Sequence, residues 1–135
     1  GNQAEALGGL QLFLLIATLA LGILLLTELT SNTATAATFL PVVAAIAIKL
    51  GLNPLLLLVP TALAANCSYM MPVGTPPNAI VYGSGRIDLN DMVKTGIWLN
   101  LLLVPLITLV VLLLAPLVLG IEFDIIPDWA QNVAP

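Results

Sequence analysis

Three stretches of this sequence, residues 6–27, 50–85 and 95–121, contain no charged residue. Each is at least as long as the roughly 20 residues that an α-helix needs to cross the hydrocarbon core of a bilayer. The composition agrees, because 60% of the 135 residues are hydrophobic and only 7% are charged. The mean hydropathy of +1.12 is far above what the core of a soluble domain requires. The sequence therefore predicts an all-α membrane protein.

The first apolar stretch ends at a polar cluster, and a second helical stretch follows at once. The cluster covers residues 27–33, and residues 34–48 are again mostly apolar. Ser31 or Asn32 is a suitable N-cap for the second helix, because a short side-chain oxygen accepts a hydrogen bond from the free amides of the first turn. The second arm, at about 15 residues, is short for a complete crossing. Residues 6–48 are therefore predicted to form a re-entrant hairpin whose tip lies inside the membrane.

A single transmembrane helix, broken into two halves, is predicted over residues 54–86. Its first half starts at Pro54 and continues to about Met70. Residues 71–78 include three prolines and a glycine, which interrupt a helix because proline lacks an amide hydrogen and clashes with the preceding turn. The helix resumes over residues 79–83. Irregular backbone at membrane depth occurs only where protein or water pairs its polar groups, so the break is expected to face a binding site.

The rest of the chain is predicted to form one last transmembrane helix over residues 93–120 and a tail over residues 121–135. Pro105 and Pro116 are expected to bend this helix. In the tail, Trp129 is placed as an interfacial anchor.

Charge placement suggests an orientation. Arg86 and Lys94 flank a short polar segment, which the positive-inside tendency places in the cytoplasm. The tail has acidic residues and no Lys or Arg, so we expect it on the extracytoplasmic side of the cell membrane, although Lys49 counts against this topology. All three cations are expected to reach the interface from helix ends, without contacting a substrate.

The two polar interruptions, residues 27–33 and 74–78, have complementary chemistry. Hydroxyl, amide and freed carbonyl oxygens at a helix C-terminus form a ligand set suited to sodium, whereas the amides and positive dipole of a half-helix N-terminus attract a carboxylate. A bound sodium ion also reduces the cost of bringing an anion into a medium of low dielectric. Coupled binding of sodium and a carboxylate is therefore expected, each raising the affinity for the other.

The same two segments carry a family resemblance. Thr-Glu-Leu-Thr-Ser-Asn-Thr-Ala at residues 27–34 and Pro-Val-Gly-Thr-Pro-Pro-Asn-Ala-Ile-Val-Tyr at residues 72–82 resemble the second Ser-Asn-Thr hairpin tip and the partner loop of the divalent anion:sodium symporters. The spacing of the two motifs and the closing Pro-Asp-Trp-Ala-Gln at residues 127–131 are also similar. The resemblance covers nearly the whole chain, which would be the C-terminal portion of a longer transporter.

This resemblance implies a sodium-coupled symporter of dicarboxylates such as succinate, with citrate and sulfate as alternatives. It further implies two inverted repeats, an elevator-type motion of a transport domain against a dimeric scaffold, and hence a homodimer of the full protein. This chain would supply one half of the substrate site and one sodium site. Where many relatives are expected to have alanine, this sequence has Gly74, whose contact would be a backbone carbonyl.

The resemblance also implies roles for individual residues. The residues that would bind substrate are Ser31, Asn32, Thr33, Thr75 and Pro76. Those that would bind sodium are Thr27, Ser31, Asn32 and Gly74. Asn78 and Pro77 would shape the loop.

Simpler interpretations remain open for each motif. Ser31, Asn32 and Thr33 alone fit an ordinary N-cap, and Pro76 with Pro77 fits a helix kink without a ligand. A channel pore segment and a membrane anchor without a ligand are alternative functions. An enzyme is not expected, because the sequence has no histidine for a nucleophile pair or an imidazole metal site.

Glu28 is the one acidic residue within the otherwise apolar region of the first two helices. An acid at membrane depth suggests a proton relay by default. Its position beside a turn favours a structural role instead, with its carboxylate bonded to amides of the hairpin.

Overall fold

The computed structural model describes residues 2–132, with side chains described from Gly8 onward. Every regular element in this range is a helix. Three of the helices are long and apolar enough to span a membrane, over Gly8–Thr27, Asn32–Lys49 and Leu89–Leu119. The predicted all-α membrane architecture is confirmed. The helices are α1 (Asn2–Thr27), α2 (Asn32–Lys49), α3 (Leu55–Ala65), α4 (Pro76–Gly83), α5 (Leu89–Leu119) and α6 (Asp128–Gln131).

Helices α1 and α2 are joined by a tight turn. The Ser31 hydroxyl accepts a hydrogen bond from the Ala34 amide at 3.3 Å, so Ser31 rather than Asn32 is the N-cap of α2. The helix has 18 residues and a length of about 27 Å. It is longer than the predicted arm because Asn32 and Thr33 belong to the helix and not to the turn, and because the helix continues through Lys49. Helix length alone therefore no longer favours a re-entrant path over a crossing.

The predicted helix over residues 54–86 is broken, but its boundaries differ from the prediction. Helix α3 ends at Ala65, before Met70, and α4 begins at Pro76, before the predicted restart at residue 79. Pro76 and Pro77 do not interrupt the helix; they occupy its first positions, where the missing amide hydrogen removes no helical bond. The irregular segment is therefore residues 66–75.

Helix α5 has 31 residues and includes most of the short polar segment that was expected to precede it, from Leu89 onward. Pro105 and Pro116 lie inside this helix. It ends at Gly120, whose φ of 60° is left-handed, a conformation that glycine adopts without steric cost. The tail then returns toward the start of α3, because the Asn53 amide donates to the Phe123 carbonyl at 2.9 Å.

Helix α3 lies at the centre of the fold and packs against α1, α2 and α5. Alanines on the contacting faces permit close approach of the backbones, as is common between membrane helices. The buried core includes Ile16, Ala20, Ile23 and Leu24 of α1, Val43 and Ala47 of α2, Leu56, Leu57, Ala64 and Ala65 of α3, and Ile107, Val111 and Ala115 of α5.

The chain direction brings the two polar segments to one level. Helices α1 and α3 both end there, while α2 and α4 both begin there. Helix α5 passes the same level at Asn100, whose side chain bonds to Glu28 of the hairpin turn. Asn100 lies six positions after Lys94, which corresponds to about 9 Å along α5.

Candidate functional site

Glu28 follows α1 directly and is only 3% exposed. Its carboxylate accepts hydrogen bonds from the backbone amides of residues 69–71 at 2.9 to 3.1 Å. It also accepts from the Ser68 hydroxyl at 3.0 Å and from the Asn100 side-chain amide at 3.2 Å. We call these residues the Glu28 cluster. The expected structural role agrees with these contacts, but the expected partners were wrong, since the amides belong to the broken helix and not to the hairpin.

These contacts explain where α3 stops. A helix would need the amides of residues 69–71 for bonds to carbonyls four residues earlier. Here the three amides converge on one carboxylate, an arrangement of successive N–H groups that binds anions. The break in the helix is therefore set by an acidic side chain about 40 residues earlier in the sequence.

Asn78 holds the same loop from the other side. Its side-chain amide donates to the carbonyl oxygens of Ser68 at 2.8 Å and of Met71 at 3.1 Å. Its backbone amide donates to the hydroxyl of Thr75, the N-cap of α4, at 3.3 Å. Glu28 thus pairs the amides of the loop, and Asn78 pairs its carbonyls.

Gly74 is buried in this loop and lies against Ser68. A Cβ atom at position 74 would lie 1.8 Å from the Ser68 hydroxyl oxygen. An alanine would therefore require Ser68 to turn away from Glu28. The glycine therefore matters for packing, a consequence that sequence alone did not indicate.

Three neutral oxygens meet where α1 and α3 end. The Thr27 hydroxyl oxygen lies 2.7 Å from the Asn32 side-chain oxygen and 2.7 Å from the Ala65 carbonyl oxygen. We call these three groups the Thr27 cluster. A hydroxyl has one proton and donates to one acceptor at a time, so one of the two short oxygen pairs has no hydrogen between its atoms. Oxygen atoms of this kind are preferred ligands of hard cations.

A cavity of about 500 Å³ lies between the hairpin turn and the loop before α4. Its volume falls in the range of small-molecule sites. Its lining combines Leu29, Thr30, Ser31, Asn32 and Thr33 with Asn66, Val73, Gly74, Thr75 and Pro76.

The cavity brings together most of the residues that the sequence singled out. Its lining includes all five expected substrate residues and Gly74. Thr27 is fully buried and contacts Asn32. Pro77 is exposed in the first turn of α4, and Asn78 holds the loop.

Helix ends of opposite dipole charge face the Thr27 cluster and the cavity. Helices α1 and α3 end at the Thr27 cluster, so the negative ends of two helix dipoles point toward it. Helices α2 and α4 begin at the cavity, so two positive dipole ends face it. Only α2 adds free amides, because α4 begins with Pro76 and Pro77 and its next amides bond to Thr75. The ten cavity-lining residues include neither Lys nor Arg. Helix ends therefore provide the electrostatic asymmetry.

Helix α5 also contributes to the site, which the sequence interpretation missed. A Cβ at Gly96 would lie 2.6 Å from the Met70 Cα and 2.7 Å from the Tyr69 carbonyl oxygen, so the glycine lets the loop contact the helix backbone. Asn100 lies one turn later and is 4% exposed. Within residues 2–132 its side-chain oxygen has no hydrogen-bond partner. Such a group costs about 1–3 kcal/mol. The sequence feature that could have identified Asn100 is a single side-chain amide in the apolar part of the helix.

Sequence comparisons relate this chain to membrane transporters. A family model described as "Sodium:sulfate symporter transmembrane region" matches residues 2–121. The sodium-dependent dicarboxylate transporter SdcS of Staphylococcus saprophyticus subsp. saprophyticus is 48% identical over 122 residues, which cover 90% of this chain and 24% of that protein. SdcS of Staphylococcus aureus is 48% identical over 124 residues, which cover 92% of this chain and 24% of that protein. The chain thus spans about a quarter of the length of these relatives, both of which are transporters rather than enzymes.

Proposed function

This chain belongs to the family of the sodium:sulfate symporter transmembrane region, and from that membership we propose that it forms one half of the substrate site and one sodium site of a sodium-coupled dicarboxylate transporter. The observation that carries the proposal is that negative and positive helix ends lie at two separate, adjoining places. Two negative ends meet at the Thr27 cluster, and two positive ends meet at the adjoining cavity. One site suits a cation and the other suits an anion.

The sodium site is built on the Thr27 cluster. The Thr27 hydroxyl and the Asn32 side-chain oxygen are two of the ligands, in line with the family resemblance, and the Ala65 carbonyl is an addition from the structure. Ser31 and the carbonyl of Gly74, which both line the adjoining cavity, complete the set. All of these ligands are neutral oxygens, which suit a monovalent cation that must also be released.

The substrate site is the cavity. Ser31, Asn32 and Thr33 bind one end of the anion from the first turn of α2, and Thr75 and Pro76 contact it from the start of α4. The free amides of the first turn of α2 add donors for a carboxylate. Helix α4, which begins with two prolines, contributes the positive end of its dipole. The other half of the site comes from the remainder of the transporter. Dicarboxylates such as succinate are the proposed substrates, in keeping with the names of the relatives, and citrate and sulfate are tested beside them.

Asn32 couples the two ligands. Its side-chain oxygen belongs to the Thr27 cluster, while its own backbone begins the helix whose amides face the cavity. A sodium ion at the cluster stabilises a carboxylate at the cavity, because each ion offsets part of the desolvation cost of the other. By linkage, substrate then raises sodium affinity by the same factor.

The hairpin, residues 6–48, is proposed to be re-entrant. The turn lies at the level of Asn100, about 9 Å along α5 from Lys94, and α4 continues beyond it. The polar groups of the turn and of the broken-helix ends thus form hydrogen bonds with each other, at a depth where lipid offers no hydrogen-bond partner. The full transporter is proposed to be a homodimer in the cell membrane, with the tail on the extracytoplasmic side.

The test is uptake of labelled succinate by proteoliposomes of the full-length transporter, with sodium or potassium outside. Wild type should show saturable uptake that requires sodium, and Asn32→Ala should abolish it. Asn90→Ala is the matched control, since Asn90 is exposed in the first turn of α5, away from the cavity. Uptake that depends neither on sodium nor on Asn32 would contradict the proposal. The two motifs would then serve only to cap and kink helices, and a channel or an anchor would be favoured.

A further inference from the structure

Asn100 is the residue of α5 that reaches the hairpin turn. It is almost completely buried, and its side-chain amide donates to the Glu28 carboxylate at 3.2 Å. Its side-chain oxygen has no hydrogen-bond partner within residues 2–132. A hydrophobic side chain of similar size would avoid leaving a buried acceptor unpaired, so packing alone does not explain an amide at this position.

Thr108, another buried polar residue of α5, shows the contrast. Its hydroxyl donates to the Val104 carbonyl of its own helix at 2.8 Å. Such a local bond satisfies the hydroxyl without involving another element. Asn100 instead donates to a residue 72 positions away in the sequence. The Asn100 bond therefore fixes one element relative to another.

The contacts of Asn100 lead to both sides of the proposed sodium site. Glu28 directly follows Thr27, whose hydroxyl belongs to the Thr27 cluster. The same carboxylate binds the amides of residues 69–71, in the loop that continues to Gly74. Asn100 itself is not a cation ligand with Glu28, because both oxygens of that carboxylate already accept several hydrogen bonds.

We propose that Asn100 is a positioning residue of the sodium site, which holds the Glu28 carboxylate and so fixes the hairpin turn against the loop before α4. This inference rests on the proposed function, because it assigns Asn100 to the site proposed there. Gly96, one turn earlier, contributes by letting the loop backbone contact α5. Loss of the Asn100 amide should weaken sodium binding more than it slows transport at saturating sodium.

The experiment uses Asn100→Leu in the full-length transporter, with Thr108→Val as the control that removes a local hydrogen bond from the same helix. Sodium titrations follow the melting temperature of the purified protein and the uptake of labelled succinate. Asn100→Leu should raise the half-saturating sodium concentration about tenfold, the equivalent of one hydrogen bond to a charged group. The maximal rate should stay within about twofold of wild type. Thr108→Val should leave the sodium dependence unchanged.

A second variant guards against misfolding of the first. Asn100→Ala removes the same amide without adding bulk or charge beside Glu28, so it should raise the half-saturating sodium concentration by a similar factor. Unchanged sodium dependence in both variants, or a lower maximal rate alone, would overturn the role of Asn100. If wild type itself shows no response to sodium in either measurement, the proposed function fails, and this inference fails with it.

Discussion

Polar residues lie on both sides of the loop between α3 and α4, but those on one side have their hydrogen bonds satisfied and those on the other side do not. On the side of α5, the Glu28 carboxylate is buried and accepts hydrogen bonds from backbone, hydroxyl and amide donors. On the side of the cavity, Ser31 is exposed and its hydroxyl makes only a long bond to its own helix. A fully paired cluster sets the shape of a site, whereas a partly paired surface retains atoms for a ligand.

This difference separates stability from binding. Variants at Glu28 and Gly96, which hold the loop against α5, should lower the stability of the transporter, and transport should fall as a consequence. Variants on the cavity side should change sodium and substrate dependence with little loss of stability. Each prediction below measures both quantities in the full-length transporter, so that either half of the comparison can be contradicted.

The largest effect is expected for Glu28→Gln. The substitution keeps the size of the side chain but removes the charge, and it turns an NH₂ group toward backbone donors. Hydrogen bonds to charged groups contribute about 1.5–3 kcal/mol each, so we expect a loss of at least ~3 kcal/mol, measured as a large fall in melting temperature in detergent. Uptake of succinate should be lost as well.

The control for this variant is Glu122→Gln, the same substitution at an exposed position of the tail. It should leave the melting temperature and uptake unchanged. A Glu28→Gln protein that melts like wild type would show that the paired cluster does not hold the loop.

Gly96→Ala should have the next largest effect. The new Cβ would lie under 3 Å from backbone atoms of the loop, so the loop must move away from α5. Inserting atoms into a closely packed contact costs about 1–3 kcal/mol. The melting temperature should fall, and succinate uptake should fall with it because the moved loop carries the start of α4.

Gly22→Ala is the matched control for a glycine within a helix. A Cβ there meets no atom of the described residues within 4 Å, and alanine is the better helix former. Its melting temperature should equal or exceed that of wild type. If Gly96→Ala behaves in the same way, the close contact between α5 and the loop is not needed.

The hairpin turn and the Glu28 cluster show what the sequence could and could not predict. Apolar runs and the polar cluster of residues 27–33 predicted the membrane fold and the helix pair, because composition and capping are local properties. The partner of Glu28 could not be predicted in this way. Its amide donors lie about 40 residues away and Asn100 lies 72 residues away, and no periodicity reports contacts at such a separation.

The boundaries of the broken helix illustrate the same limit. Three prolines and a glycine located the break to within a few residues. Whether Pro76 ends one helix or begins the next depends on which acceptors bind the preceding backbone amides. Glu28, which lies in another part of the chain, is that acceptor. The two motifs were expected to form one site from their complementary chemistry and from the family resemblance. The structure adds contacts that neither predicted: the Ala65 carbonyl beside Thr27, Asn66 in the cavity lining and Asn100 beside Glu28.

On the cavity side, Thr75→Ala tests a residue with two roles. The hydroxyl caps α4 by accepting from the Asn78 amide, and loss of an N-cap costs about 1 kcal/mol. The melting temperature should fall slightly, while the substrate concentration for half-maximal uptake should rise clearly. Thr75→Ser keeps the hydroxyl and should restore both values. Equal impairment of both variants would indicate that the methyl group, and not the hydroxyl, is required.

The smallest effect on stability is expected for Ser31→Gly, and it distinguishes the two interpretations of the hairpin turn. Glycine replaces serine at an N-cap with a loss of only a few tenths of a kcal/mol, and the bond lost here is long and exposed. If Ser31 were only a cap, Ser31→Gly would transport like wild type. We expect a nearly unchanged melting temperature together with a higher half-saturating sodium concentration and weaker succinate uptake, because the hydroxyl lines the cavity beside Asn32. Ser31→Thr, which keeps a hydroxyl, should retain more of both. A normal sodium titration for Ser31→Gly would leave Asn32 and Thr27 as ligands but would remove Ser31 from the sodium site.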